Sequence, residues 1–187
     1  MKKRISAIAV VVICLAILAT GTLAYFTDAE QAHNIITSGN IEIALEEFFP
    51  GSKEDPDEED TYILEGVYPS QTVQKEIRVK NTGVGDAWIR AKLNFQFDPA
   101  DLSVGVITID LLPGWIDGGD GWYYYENIVA AENYTDYLIK EVTFAPEMGN
   151  EYQNSTLTVK VEAQAVQAKN NMPESGSVLD VAGWPAP

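Results

Sequence analysis

Cysteine is almost missing: Cys14 is the only one in 187 residues, and it falls inside an apolar run near the N-terminus. Beyond that run the chain has no thiol, hence no disulfide, cysteine nucleophile or thiolate metal site. Histidine is as scarce. His33 stands alone, which excludes an HExxH pair and the usual His-based zinc triad and leaves little scope for a Ser-His-Asp relay. Positive charge is short too, with 12 Lys and Arg against 28 Asp and Glu, a net of −16. So acidic a surface repels phosphate backbones and anionic lipid, so nucleic acid and membrane surfaces are poor partners. No glycine-rich loop carries the Lys-Ser/Thr sequel of a phosphate cradle, and no amphipathic helix of ten or more residues is evident. These absences leave no catalytic residue, no metal and no cofactor to assign. The partners that remain are cations, positively charged proteins and further copies of the chain.

What is present starts at the N-terminus. Lys2, Lys3 and Arg4 precede an apolar run from Ile5 to about Leu23, closed by Thr22-Leu23-Ala24. A charged start, an apolar stretch and small residues at the cleavage positions are the layout of an export signal, expected as a helix over residues 1–24 with cleavage between Ala24 and Tyr25. An uncut anchor is the alternative, since the run nears the roughly 20 residues that span a bilayer. Cleavage leaves 163 of the 187 residues, enough for one domain with a sizeable core. It also removes three basic residues, leaving nine against 28 acidic ones, a net of −19.

Period-two alternation dominates the remainder. Ala87, Ile89, Ala91, Leu93, Phe95 and Phe97 share one face, with Trp88, Arg90, Lys92, Asn94 and Gln96 on the other. Leu157, Val159, Val161, Ala163 and Ala165 repeat the pattern, and Ile41, Ile43 and Leu45, or Ile77 and Val79, give shorter examples. One buried and one wet face per strand predicts an all-β fold, a single antiparallel β-sandwich over residues 39–168. Further strands are expected near 62–67, 104–112, 121–126 and 137–145. Turn chemistry separates them at Tyr68-Pro69-Ser70, Asn81-Thr82-Gly83-Val84-Gly85 and Asp117-Gly118-Gly119-Asp120-Gly121.

An exposed loop is expected over 51–60, where Glu54 to Asp60 holds six acids in seven residues. Calcium is conceivable there, but the run lacks the ligand spacing and glycine of a calcium loop. The tail over 169–187 reads as irregular, with Val178, Leu179, Val181 and Trp184 available to dock on a sheet. Aromatics at Trp115, Trp122, Tyr123, Tyr124, Tyr125 and Tyr134 could form a sugar-stacking face involving Trp88, Trp115 or Trp122. Core and cross-strand packing is the simpler reading of them.

The signal ending Gly21-Thr22-Leu23-Ala24, the following Tyr25-Phe26-Thr27-Asp28 and the block from Asn34 to Ile43 resemble exported proteins of the TasA/camelysin family. The likeness continues through Tyr68-Pro69-Ser70-Gln71 and Val79-Lys80-Asn81-Thr82-Gly83 to the strand Leu157–Ala168. It implies a jelly-roll-like sandwich, cut by a dedicated signal peptidase and sent to the surface or matrix of a Gram-positive bacterium. Relatives form biofilm fibres in which the N-terminal segment of one subunit completes a sheet of the next. Here that donor would be residues 25–38, offering Phe26, Ala29, Ala32, Ile35 and Ile36. Its first eleven residues would reach about 35 Å if extended. The alternative is that 25–38 folds back on its own subunit. The resemblance thus implies a non-enzymatic fibre or matrix subunit of a biofilm or spore-associated layer. Self-association is its main partnership, other matrix proteins are further candidates, and the membrane is touched only by the signal segment. Another branch, camelysin, implies a surface metallo-endopeptidase, for which one histidine supplies too few ligands. A surface-displayed carbohydrate-binding or adhesion module is the third reading.

Overall fold

The computed structural model describes residues 35–38, 41–57 and 61–185, all within one unit of the chain, residues 33–187. The larger layer is built on two twelve-residue strands, β7 (Ala87–Asp98) and β12 (Thr156–Gln167), antiparallel from Ala87↔Gln167 to Asp98↔Thr156. These are the two clearest alternating segments of the sequence. The next strand beyond β7 is β10 (Tyr123–Tyr125), then β9 (Trp115–Asp117). Beyond β12 come β4 (Thr61–Glu65) and β3 (Lys53–Glu54). The other end of that β12 flank is taken by β1 (Ile35–Ser38), parallel to it with Ile35 opposite Ala163 and Ser38 opposite Val166. This is the one parallel pair among the described strands, in a sheet that is otherwise antiparallel as expected.

The smaller layer contains β2 (Ile43–Phe48) on β6 (Glu76–Asn81), and β5 (Thr72–Gln74) on β11 (Glu141–Phe144) on β8 (Ile107–Ile109). Backbone bonds from Thr135 N to Val79 O at 2.9 Å and Leu138 N to Ile77 O at 2.7 Å run beside β6. Lys75 N to Lys140 O at 2.9 Å carries the pairing onward toward β11. One apolar core joins the layers, with Ile77, Val79, Phe97, Val142, Phe144, Leu157 and Val159 nearly or wholly enclosed. Each such side chain contributes roughly 1.5–3 kcal/mol by leaving water. The described residues contain short 3₁₀ turns and no α-helix.

Local chemistry explains the turns. Buried Asn81 donates through Nδ2 to Gly85 O at 2.8 Å and Val129 O at 2.9 Å, and its Oδ1 accepts from Gly83 N at 3.1 Å. One amide therefore shapes the turn before β7. Between β9 and β10, Asp117 Oδ1 accepts from Gly119 N at 2.8 Å and Asp120 Oδ1 from Trp122 N at 3.0 Å. Gly119 and Gly121 sit at φ 71° and 88°, a region that favours glycine.

One expectation about the faces fails. The outward side of β7 is not wet along its length: Trp88 and Arg90 are buried, as are Gln164 and Val166 on β12. The cause is the tail. It crosses this face without forming a strand and buries Val178 and Val181 in a second apolar cluster with Trp88, Trp122, Tyr124, Val166 and Ala168. Leu179, the other aliphatic side chain expected to dock, is 42% exposed.

Candidate functional site

Three places concentrate unusual geometry. The first is a free edge of the smaller layer. β8 pairs with β11 on one side and has no partner strand on the other among the described residues. Ile107 and Ile109 stand opposite the enclosed Phe144 and Val142, yet they and Leu111 are only partly buried against the core. Val104, just before the strand, is 44% exposed. Among the described residues the sandwich is therefore unfinished at this edge: the outer side of β8 has no partner strand and the apolar row behind it is half covered.

The second is the flank of β12. β4 covers residues 156–160 and β1 covers 163–166. Ile35 and Ile36, two of the donor residues expected from sequence, thus pair by backbone with the β12 of their own chain. Phe26, Ala29, Ala32 and the cleavage pair Ala24 and Tyr25 lie outside the described residues, as does His33.

The third is the set of buried charges that alternation alone does not reveal. Arg90, on β7, occupies the face that alternation makes wet. It donates from Nε at 3.0 Å and Nη2 at 2.7 Å to Gln164 Oε1, and from Nη1 at 3.0 Å to the Tyr124 hydroxyl. Its guanidinium carbon lies 4.2 Å from the Trp122 ring centre and 4.7 Å from that of Trp184, within cation–π range. Tyr124 in turn donates to Asp120 Oδ2 at 2.8 Å. Burial, reinforced by that bond, raises the Tyr124 hydroxyl pKa above its ordinary value. Burial alone would raise the Asp120 carboxyl; hydrogen bonds from Tyr124 and Trp122 N–H, with Arg90 nearby, outweigh it and hold Asp120 below its usual range. Lys75, between β5 and β6, contacts Glu47 of β2 beneath the Phe49 and Tyr62 rings. No sequence pattern marks either residue. On the outer side of this layer Arg78 bonds Glu46 at 2.6 Å and faces Tyr134 at 4.2 Å, and Glu46 raises the arginine pKa.

The aromatic residues do not form the open row a sugar-stacking face would need. Trp88, Trp115 and Trp122 are all buried; Tyr134, at 40% exposure, is the exposed ring of the expected set, and the other exposed aromatics, Phe48 and Tyr68, lie outside it. Thr135 is buried, with its Oγ1 accepting from Val79 N at 3.0 Å. Of the acidic run, Glu54 ends β3, Asp55 Oδ1 accepts from Asp57 N at 2.9 Å, and residues 58–60 lie outside the described set.

A metallo-endopeptidase needs about three imidazole or carboxylate ligands around one metal. Among the described residues no group of three or more His, Cys, Asp or Glu is placed to hold one. The described part of the chain does not fit such a metal.

No curated protein and no solved structure matches the chain. The family model described as camelysin metallo-endopeptidase matches residues 1–94, which hold the N-terminal block and the Asn81 turn, but not the strand over 157–168 at the far end of the expected likeness. With half of its length so matched, the chain belongs to the TasA/camelysin family.

Proposed function

We propose that the mature chain is an exported, non-enzymatic structural subunit, a fibre or matrix component of a biofilm or spore-associated layer, and that it assembles by strand addition. The observation that carries this reading is the open β8 edge, with Ile107, Ile109 and Leu111 half covered behind it. A strand added there satisfies the free backbone groups and completes the core at once, the logic of β-augmentation. The donor is residues 25–38. Of this segment, Ile35–Ser38 pair with one end of β12 in their own subunit, and donation requires those backbone bonds to open. The net of −19 keeps subunits apart, and lower pH or divalent cations promote association by reducing that repulsion.

Electron microscopy of the concentrated mature protein tests the reading. Fibres are expected, and deletion of residues 25–38 is expected to abolish them while leaving a folded monomer. Fibres that survive the deletion would sink the donor role. The family description favours a second reading, a surface protease. It predicts chelator-sensitive cleavage of unfolded casein by the purified chain, and absence of such cleavage rejects it.

A further inference from the structure

Among the ion pairs of the described residues, Lys75–Glu47 stands apart. The pairs Lys53–Glu65, Arg78–Glu46 and Lys80–Glu132 keep substantial contact with solvent, whereas the side chains of Lys75 and Glu47 are 0% and 3% exposed. Lys75 Nζ touches Glu47 Oε2 and lies 4.8 Å from the Phe49 ring centre and 4.2 Å from that of Tyr62. Glu47 is fixed by its place in β2, opposite Ile77, and Lys75 by its backbone bond to Lys140. The sheet therefore holds an amine and a carboxyl group in contact, in a pocket walled by aromatic rings.

An ion pair this far from water often returns less attraction than its desolvation costs. Passing one proton from Nζ to the carboxylate discharges the pair. It leaves a nucleophilic amine against a neutral carboxyl, the two halves of an amide. Fixed contact raises their effective concentration by orders of magnitude over a free encounter. Exclusion of water removes the reagent of the reverse hydrolysis.

We propose that Lys75 and Glu47 become joined by an intramolecular isopeptide bond. The Nζ lone pair attacks Cδ of Glu47, the C–OH bond breaks, and the hydroxyl leaves with an Nζ proton as water. Ammonium plus carboxylate give amide plus water, so atoms and charge balance and no oxidant or cofactor is consumed. The product is a neutral secondary amide that ties β2 to the junction of β5 and β6. It supplies a covalent staple to a chain with no cysteine beyond Cys14. The bond forms within one subunit and is independent of whether subunits polymerise.

Mass spectrometry of the secreted chain, with its N-terminus established, tests the bond. The intact mass is expected to be one water, about 18 Da, below that of the sequence. After trypsin, Lys75 is expected to resist cleavage, and the peptide ending at Lys53 to stay bonded to the one running from Glu54 to Arg78. The Lys75→Met chain is expected to show its full sequence mass. A wild-type chain at full mass, with a tryptic peptide ending at Lys75, overturns the proposal. So does a water loss mapped to any other residues. Both readouts come from the wild-type protein, so the test holds even where the variant fails to fold.

Discussion

Replacing Arg90 by methionine keeps most of the apolar stem and removes only the guanidinium. The structure permits a magnitude. Gln164 Oε1 loses both of its donors, from Nε at 3.0 Å and Nη2 at 2.7 Å, and a buried acceptor left dry costs about 1–3 kcal/mol. The Trp122 and Trp184 rings lose a cation at 4.2 and 4.7 Å, about 1–2 kcal/mol when desolvated. Against this, the variant buries no charge and methionine adds apolar contact, a return of about 1 kcal/mol. Arg90→Met should therefore destabilise the fold by about 3 kcal/mol, a large single-site effect. Urea denaturation should show a lower midpoint with an unchanged slope. The mechanism is checked by a double-mutant cycle with Gln164→Leu. If the buried acceptor is the main cost, the double variant loses less than the sum of the singles, by about 1 kcal/mol or more. A single-variant loss below about 0.5 kcal/mol, or strict additivity, would refute the reasoning.

Titrating groups on β10 and in the turn before it set two opposite pH limits. Asp120 is held below its ordinary 3.8, so its contribution is present above that value and is lost as pH falls through its depressed folded value. Asp120→Asn should flatten the acid limb of a thermal-melt profile. Tyr123, Tyr124 and Tyr125 are raised above 10 chiefly by burial, so their contribution is full below pH 10 and is lost as pH rises through the folded values. Phenolate absorbance should accordingly develop later in the folded protein than in urea. A Cβ at Gly118 would meet Tyr124 Cε2 at 2.5 Å and Asp120 Oδ1 at 2.7 Å, so Gly118→Ala should lower the melting temperature and shift the near-ultraviolet dichroism of Tyr124 and Trp122. Phe97→Ala, which empties an enclosed site packed edge-on against Tyr152 at 5.0 Å, should cost about 3–5 kcal/mol, read by the same urea melts.

What the sequence disclosed depended on periodicity and on turn residues with fixed jobs. The faces of β7 and β12 were legible because Ile89, Phe97, Leu157 and Val159 recur every second residue. The Asn81 turn was legible because that side chain replaces backbone partners. Arg90 and Gln164 were not legible: they occupy the same outward positions as Lys92 and Glu162, and only the path of the tail separates the covered pair from the open one. A signal did exist. Trp88 stands in a nominally wet slot, and Val178, Val181 and Trp184 needed a face to bury them. Lys75 gave less warning, since it sits between polar Gln74 and Glu76. It turns inward because β5 ends at Gln74 and β6 begins at Glu76. The parallel pairing of Ile35–Ser38 with β12 joins segments over a hundred residues apart, beyond any local pattern.

Under the strand-addition proposal, charge and edge divide the labour. Two subunits each carrying −19 repel face to face, so the outward sides of the sheets are poor glue. The β8 edge escapes that rule, because backbone groups and half-covered isoleucines attract without regard to net charge. It is also short, Ile107–Ile109, with Thr108 exposed within it and Asp110 exposed just after it, which limits casual edge-to-edge pairing. A bare edge of that length gives few hydrogen bonds. What adds enough is a donor that also brings apolar side chains for the gap beside Ile107, Ile109 and Leu111. Such a requirement selects a segment rich in spaced apolar residues over any exposed strand. It also predicts how salt acts: screening speeds the encounter of acidic subunits, while the strength of the finished joint, set by buried apolar area and backbone bonds, changes little.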